Sequence, residues 1–222
     1  MGGNVIGVLG GTFDPIHFGH LRLGLEAADA LGLEHVRVIP AGVPPHRAKP
    51  SASAAARLQM VRLATASEPR FMVDAAEALS PAPSYTVDTL LRLREELGSK
   101  QALCLLLGTD AFSSLASWSR WKRLFELAHI AVASRAGQGF DPDRFPPALG
   151  VEFKARYRES AACLASAPAG CVVRFPMSAL DISASGIRRL LARGASARYL
   201  LPDAVLDYID SNRLYSREPD GR

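Results

Sequence analysis

The stretch Val5-Ile6-Gly7-Val8-Leu9-Gly10-Gly11-Thr12-Phe13-Asp14-Pro15-Ile16-His17-Phe18-Gly19-His20 decides how this chain is read. Val5 to Leu9 is a short apolar run that stops at paired glycines, as a buried strand does. From Phe18 to Leu31 the period changes. Leu21, Leu25, Ala28 and Leu31 share one helical face, while Arg22, Glu26 and Asp29 share another. Val36-Arg37-Val38-Ile39, ended by Pro40, reads as a second strand. Strand, helix and strand in succession imply a parallel pair joined by a right-handed crossover.

The alternation continues outward. Helices are expected over Ser53–Thr65, from near Tyr85 to Leu97, over Phe153–Leu164, Gly186–Arg193 and Asp203–Ile209. Strands are expected at Phe71–Val73, Leu103–Leu107, Ile130–Ala133 and Val172–Phe175. The Gly- and Pro-rich segment Gly137–Gly150 reads as a surface loop. This pattern predicts an α/β fold, a Rossmann-like doubly wound parallel sheet. At ~100–200 residues per domain, the 222 residues are expected to form a single domain over 1–222, its small helical C-terminal portion at about 183–215. Ligands of such sheets bind beyond the carboxyl ends of the strands. The informative loops therefore follow Leu9, Ile39, Leu107 and Val132.

Composition narrows the function classes. Hydrophobic residues make up 48% and charged residues 22%, which excludes general disorder. The 26 Lys+Arg against 22 Asp+Glu leave a net +4. That excess is too mild to demand nucleic acid, but it suits an anionic small substrate. Three cysteines without a C-x-x-C pair argue against a disulfide scaffold or a zinc ribbon, and fit a reducing compartment. The longest clean apolar run, Ala102 to Leu107, is far short of the ~20 residues that span a bilayer. The glycine-broken N-terminal stretch is not read as a signal peptide. The expectation is a cytoplasmic protein with no membrane and no nucleic-acid partner.

The first loop carries the strongest chemical signal. Gly10 and Gly11 after a strand let backbone N–H groups approach a phosphate. His17 and His20, three apart at a helix start, suit donation to phosphoryl oxygens. A metal reading of the same pair needs a third ligand, for which Asp14 or His46 stands as candidate. The second signal is Ile182-Ser183-Ala184-Ser185-Gly186-Ile187-Arg188. Ser183 and Ser185 are both candidate caps. Arg188 is then expected in the first helical turn, where the helix dipole disfavours a cation unless an anion docks beside it.

The Gly-rich strand end followed by His17-Phe18-Gly19-His20 resembles the nucleotidylyltransferase superfamily, as does the segment Ile182–Arg188, with Ser185 where Thr is usual. Three further segments are similar to the nicotinate-nucleotide adenylyltransferase family in particular. They are Val43-Pro44-Pro45-His46-Arg47, Ser84-Tyr85-Thr86-Val87-Asp88-Thr89-Leu90, and Gly108-Thr109-Asp110 followed by Trp118 and Trp121. The resemblance runs from Gly7 to Tyr215 and is weakest over the Gly137–Gly150 loop and the helix after it.

The resemblance implies transfer of the adenylyl group of ATP to nicotinate mononucleotide, giving nicotinate adenine dinucleotide and pyrophosphate. It implies catalysis by His17, His20 and Arg188. It implies ATP binding by Gly10, Gly11, Thr12, Phe13, His17, His20, Gly108, Asp110, Ser183, Ser185 and Arg188. His46 and Arg47 are implied at the mononucleotide phosphate, and Tyr85, Thr86 and Trp118 around the nicotinate ring. Arg135 matches a family position without a defined role. Mg²⁺ is expected with ATP, and no resident metal is expected. Two other readings stay open on the residues alone: another phosphate-monoester acceptor such as phosphopantetheine, or a nucleotide-binding regulatory module without turnover.

Overall fold

In the computed structural model, residues 4–44, 49–135 and 141–216 are described. The elements run β1 (Val5–Gly11), α1 (Phe18–Leu31), β2 (Leu33–Pro40), α2 (Ala54–Thr65), β3 (Phe71–Val73), α3 (Ala76–Leu79) and α4 (Thr86–Leu97). They continue with β4 (Ala102–Gly108), α5 (Thr109–Ser113), α6 (Trp121–Leu127), β5 (His129–Arg135), α7 (Pro147–Arg156), β6 (Val172–Met177), α8 (Ala184–Ala192) and α9 (Asp203–Ser211). The six strands form one sheet in the order β3-β2-β1-β4-β5-β6. Pairing is parallel from β1 to β6, with Val8 opposite Leu105 and Leu105 opposite Ile130. This is the Rossmann-like α/β sheet expected from the alternation. Its strand order reverses between β1 and β4, the switch point beside which such folds bind nucleotides.

The residues cluster into two compact units. The first comprises the described part of Met1–Gly10 with Leu23–Arg37 and Tyr85–Ala179. Its core is the central strand β4, buried from Ala102 to Leu107, as strands covered on both faces are. The second comprises Gly11–Arg22, Val38–Ser84 and the described part of Leu180–Arg222. It holds α2 packed against α9, with Met60, Val61, Val205 and Ile209 fully buried.

Most element expectations hold within a residue or three. The exception lies between β5 and β6. The sequence pattern predicts a helix over Phe153–Leu164, after a loop ending at Gly150. The structure instead places α7 at Pro147–Arg156, extended backbone at Tyr157 and a short 3-10 turn at Ala161–Ala165. Proline suits the first turn of a helix because its ring presets φ and the missing N–H is not needed there. Phe145, Leu149 and Phe153 then fall four apart and are buried. Phe145 and Phe153 each meet Phe112 edge to face, with centroids 5.4 and 6.0 Å away. The Pro and Gly density hides this apolar spacing in the sequence.

Candidate functional site

The second unit gathers the strongest sequence candidates. α1 begins immediately after His17, whose carbonyl accepts the His20 N–H at 2.9 Å and the Leu21 N–H at 3.3 Å. The Phe18 N–H, which has no partner inside the helix, donates to the Leu200 carbonyl at 3.1 Å. The two imidazoles stack, centroids 3.8 Å apart and planes 29° apart. Gly19 makes room for this, since a Cβ there would sit 3.0 Å from the His17 ring. At Gly10, by contrast, a Cβ would meet no described atom within 4 Å. The space beside that strand end is therefore not needed for packing.

The two histidines differ chemically. His20 Nδ1 accepts the His17 backbone N–H at 3.3 Å, which assigns the neutral ring's proton to Nε2 and makes that edge a donor. The His17 ring is 6% exposed and its Nδ1 has no hydrogen-bond partner among the described residues. Burial lowers its pKa from 6.5 to about 4, so it is neutral at pH 7. Stacked rings direct their in-plane lone pairs side by side rather than onto one ion. Among the described residues no three His, Cys, Asp or Glu side chains come together as a metal site.

The His17 shift carries a stability consequence. Between pH 6.5 and about 4 the unfolded chain takes up a proton that the folded chain refuses. The His17 contribution is therefore complete above pH 6.5 and is lost as pH falls through that window. The loss at pH 4 amounts to about 3 kcal/mol at most. Burial also lowers the pKa of His129 and of His35, so the wild-type curve sums several groups. Unfolding free energies of wild type and His17→Asn, measured from pH 7 to pH 4, should diverge, the variant having the shallower slope. Parallel curves would mean that His17 does not set it.

α8 completes this half of the site. Ser183 is its N-cap, accepting the Gly186 N–H at 3.1 Å, while Ser185 lies inside the first turn with its Oγ 3.3 Å from that of Ser183. The helix thus starts earlier than the expected Gly186, and Arg188 falls just beyond its first turn. The dipole argument for an anion beside Arg188 lapses. The arginine is instead held by Asp14: Nη1 donates to the Asp14 carbonyl at 2.6 Å and lies 3.8 Å from its carboxylate. This hydrogen bond joins the first loop to α8.

Three residues of this site were not anticipated in these roles. Asp14, a candidate metal ligand in the sequence, is a buried acceptor for the Ser51 and Ala52 N–H groups at 2.7 and 3.1 Å and for the Tyr215 hydroxyl at 2.7 Å. Arg57, only 1% exposed, donates to the carbonyls of Thr12 (2.7 Å), Ala41 (2.6 Å), Gly42 (2.8 Å) and Ala52 (3.3 Å). Burial works against its charge and the nearby Asp14 works for it. One signal could have found it: Arg57 shares a helix face with buried Met60 and Val61, and a cation on an apolar stripe demands partners. No local signal marks Tyr215.

The first unit carries the remaining described candidates. Gly108 is the N-cap of α5, and Asp110 is exposed in its first turn. α4 starts at Thr86 without a side-chain cap. Tyr85, Thr86 and Trp118 are each half-buried, and Arg135 closes β5. His46 and Arg47 lie outside the described residues. No helix among the described residues is long and apolar enough to cross a membrane.

Known proteins agree with this architecture. The cytidylyltransferase-like family matches residues 8–190. The chain is 54% identical to a "probable nicotinate-nucleotide adenylyltransferase" of Dechloromonas aromatica, over 95% of this chain and 97% of the relative. It is 50% identical to a protein of the same name from Halorhodospira halophila, over 90% of each. Among solved structures it resembles the Plasmodium falciparum nicotinic acid mononucleotide adenylyltransferase complexed with NaAD, with a TM-score of 0.70 over 96% of this chain and 97% of that one. At 16% identity that likeness speaks for the fold alone. With these relatives and this family match across most of its length, the chain belongs to the cytidylyltransferase-like family and, within it, to the nicotinate-nucleotide adenylyltransferases.

Proposed function

We propose that this chain transfers the adenylyl group of ATP to nicotinate mononucleotide, releasing pyrophosphate. The observation that carries the reading is the linkage of the His17/His20 loop to α8 through the Arg188–Asp14 hydrogen bond, in a chain with such close relatives. The acceptor's phosphate oxygen attacks the α-phosphorus in line. One O–P bond forms, the bond from the α-phosphorus to the bridging oxygen breaks, and that oxygen leaves on pyrophosphate. No enzyme nucleophile is needed, so catalysis consists of positioning plus stabilisation of charge on phosphoryl oxygens.

His20, through Nε2–H, and Arg188 are the proposed donors to those oxygens. His17 remains neutral and braces His20 by stacking. Gly10, Gly11, Thr12 and Phe13 form the nucleotide loop, and Ser183 and Ser185 add hydroxyls near the phosphates. The roles of Gly108 and Asp110 at the adenosine, and of Tyr85, Thr86 and Trp118 at the nicotinate ring, rest on the family resemblance. Magnesium is proposed to arrive as part of the nucleotide substrate.

The uncapped start of α4 suits the nicotinate carboxylate. Helix-start N–H groups favour an acceptor-only anion, and a carboxamide would turn its NH₂ toward donors. That mismatch costs ~1–3 kcal/mol. The expected result is a kcat/KM for nicotinate mononucleotide at least ~10-fold above that for nicotinamide mononucleotide, measured as pyrophosphate release with ATP. Equal values would remove the carboxylate assignment. Turnover with phosphopantetheine alone would replace the acceptor, and ATP binding without pyrophosphate release on any acceptor would favour a regulatory module.

A further inference from the structure

The polar cluster around Asp14 joins four separate stretches of chain within the second unit. Asp14 lies in the first loop, and its carboxylate takes N–H groups from Ser51 and Ala52 at the entry to α2 and the O–H from Tyr215 after α9. Its backbone carbonyl takes Arg188 Nη1 from α8. The side chain is thus fixed by three donors while the main chain of the same residue grips the arginine.

Tyr215 is set into this cluster by a hydrogen-bonded turn. The N–H groups of Asn212, Arg213 and Leu214 donate back to the carbonyls of Tyr208, Asp210 and Ile209 at 3.1, 3.2 and 3.0 Å. Arg213 and Tyr215 adopt φ of 50° and 62°, which is uncommon away from glycine. Burial and the adjacent carboxylate both push the Tyr215 phenol up, so its O–H remains a donor at any working pH.

Arg188 is where this matters. Its side chain is 32% exposed. Apart from Nη1, its guanidinium nitrogens make no hydrogen bond among the described residues. A planar fork held by one nitrogen can pivot there, and the position of the accepting carbonyl decides where the other donors aim. We infer that Tyr215 is a positioning residue: through Asp14 it fixes the carbonyl that holds Arg188, so that the turn after α9 aims this arginine at the nucleotide phosphates. The inference rests on the reading of Arg188 as an ATP contact. If Tyr215 only stapled the turn to the fold, its loss would touch both substrates alike.

A double-mutant cycle separates the two. Wild type, Tyr215→Phe, Arg188→Ala and the double variant are compared for ATP affinity by calorimetry and for kcat/KM with each substrate. Tyr215→Phe should lower kcat/KM for ATP roughly ten-fold, the factor carried by one hydrogen bond to a charged group. The KM for the mononucleotide should stay within about two-fold, the two legs being coupled only through Arg188. In the Arg188→Ala background the same change should cost nothing further. Equal losses in both backgrounds, losses shared by both substrates, or no loss at all would overturn the inference. Asp14→Asn reads the link from its other end, and an ATP-selective loss is expected there too. Should Tyr215→Phe not fold, that variant decides. A wild type that binds ATP but releases no pyrophosphate refutes the proposed acceptor, while the cycle in ATP affinity still judges Tyr215. A wild type that binds no ATP refutes both.

Discussion

His20→Ala should lower kcat by ~10²–10³, the typical loss on removing one donor to a developing oxyanion. The His20 ring is oriented on both sides. Its Nδ1 takes the His17 backbone N–H, its face stacks on His17, and Phe13 meets it edge-on with centroids 5.0 Å apart. Such preorganisation places the Nε2 proton before substrate arrives, and alanine removes both the donor and the brace. Losing the aromatic contacts should cost stability only ~0.5–1.5 kcal/mol per pair, so the fold should survive. Pyrophosphate release by the purified, folded variant is the measurement. Turnover at the wild-type rate would show that His20 takes no part in the chemistry.

The largest expected stability effect lies at Arg57. Arg57→Met keeps the length of the side chain and discards its donors, leaving the carbonyls of Thr12, Ala41, Gly42 and Ala52 without that partner. Each buried acceptor left unsatisfied costs ~1–3 kcal/mol, though water can reach some of them once the guanidinium is gone. The net loss in unfolding free energy should be about 3–5 kcal/mol, comparable to breaking a buried charged network. Arg57→Lys should recover only part of it, because a single ammonium cannot reproduce a planar fork spanning several carbonyls. Urea unfolding checks this through the midpoint and slope. A loss below ~1 kcal/mol would mean that the loops are held by other contacts.

The first βαβ unit was legible because one-dimensional patterns suffice for it. Val5–Leu9 is an apolar run of strand length, Val36–Ile39 is a β-branched stretch interrupted only by Arg37, and Leu21, Leu25, Ala28 and Leu31 mark a helix by period alone. The H-x-G-H spacing and a serine-capped helix start at Ser183 or Ser185 were legible for the same reason, three or four residues of local geometry, while the choice of Ser183 came from the fold. α7 was misplaced because Phe153 within it and Phe145 just before it reach a shared cluster with Phe112, which outweighs the breakers around them.

What the sequence determined by itself was therefore the alternation of elements, the strand–glycine loop–helix start, and the residue types that phosphate chemistry requires. The tertiary structure alone decided which of those residues meet. It placed Arg188 beyond the first turn of its helix and held one of its nitrogens on the Asp14 carbonyl. It made Asp14 a buried acceptor for three donors. It also brought Arg57 and Tyr215 to the first loop. The physical reason is that local patterns reflect backbone propensity and the burial of one face, both short-range. A buried polar group is instead satisfied by whichever donor or acceptor the fold carries to it, and that partner is set by chain topology rather than by its neighbours in sequence.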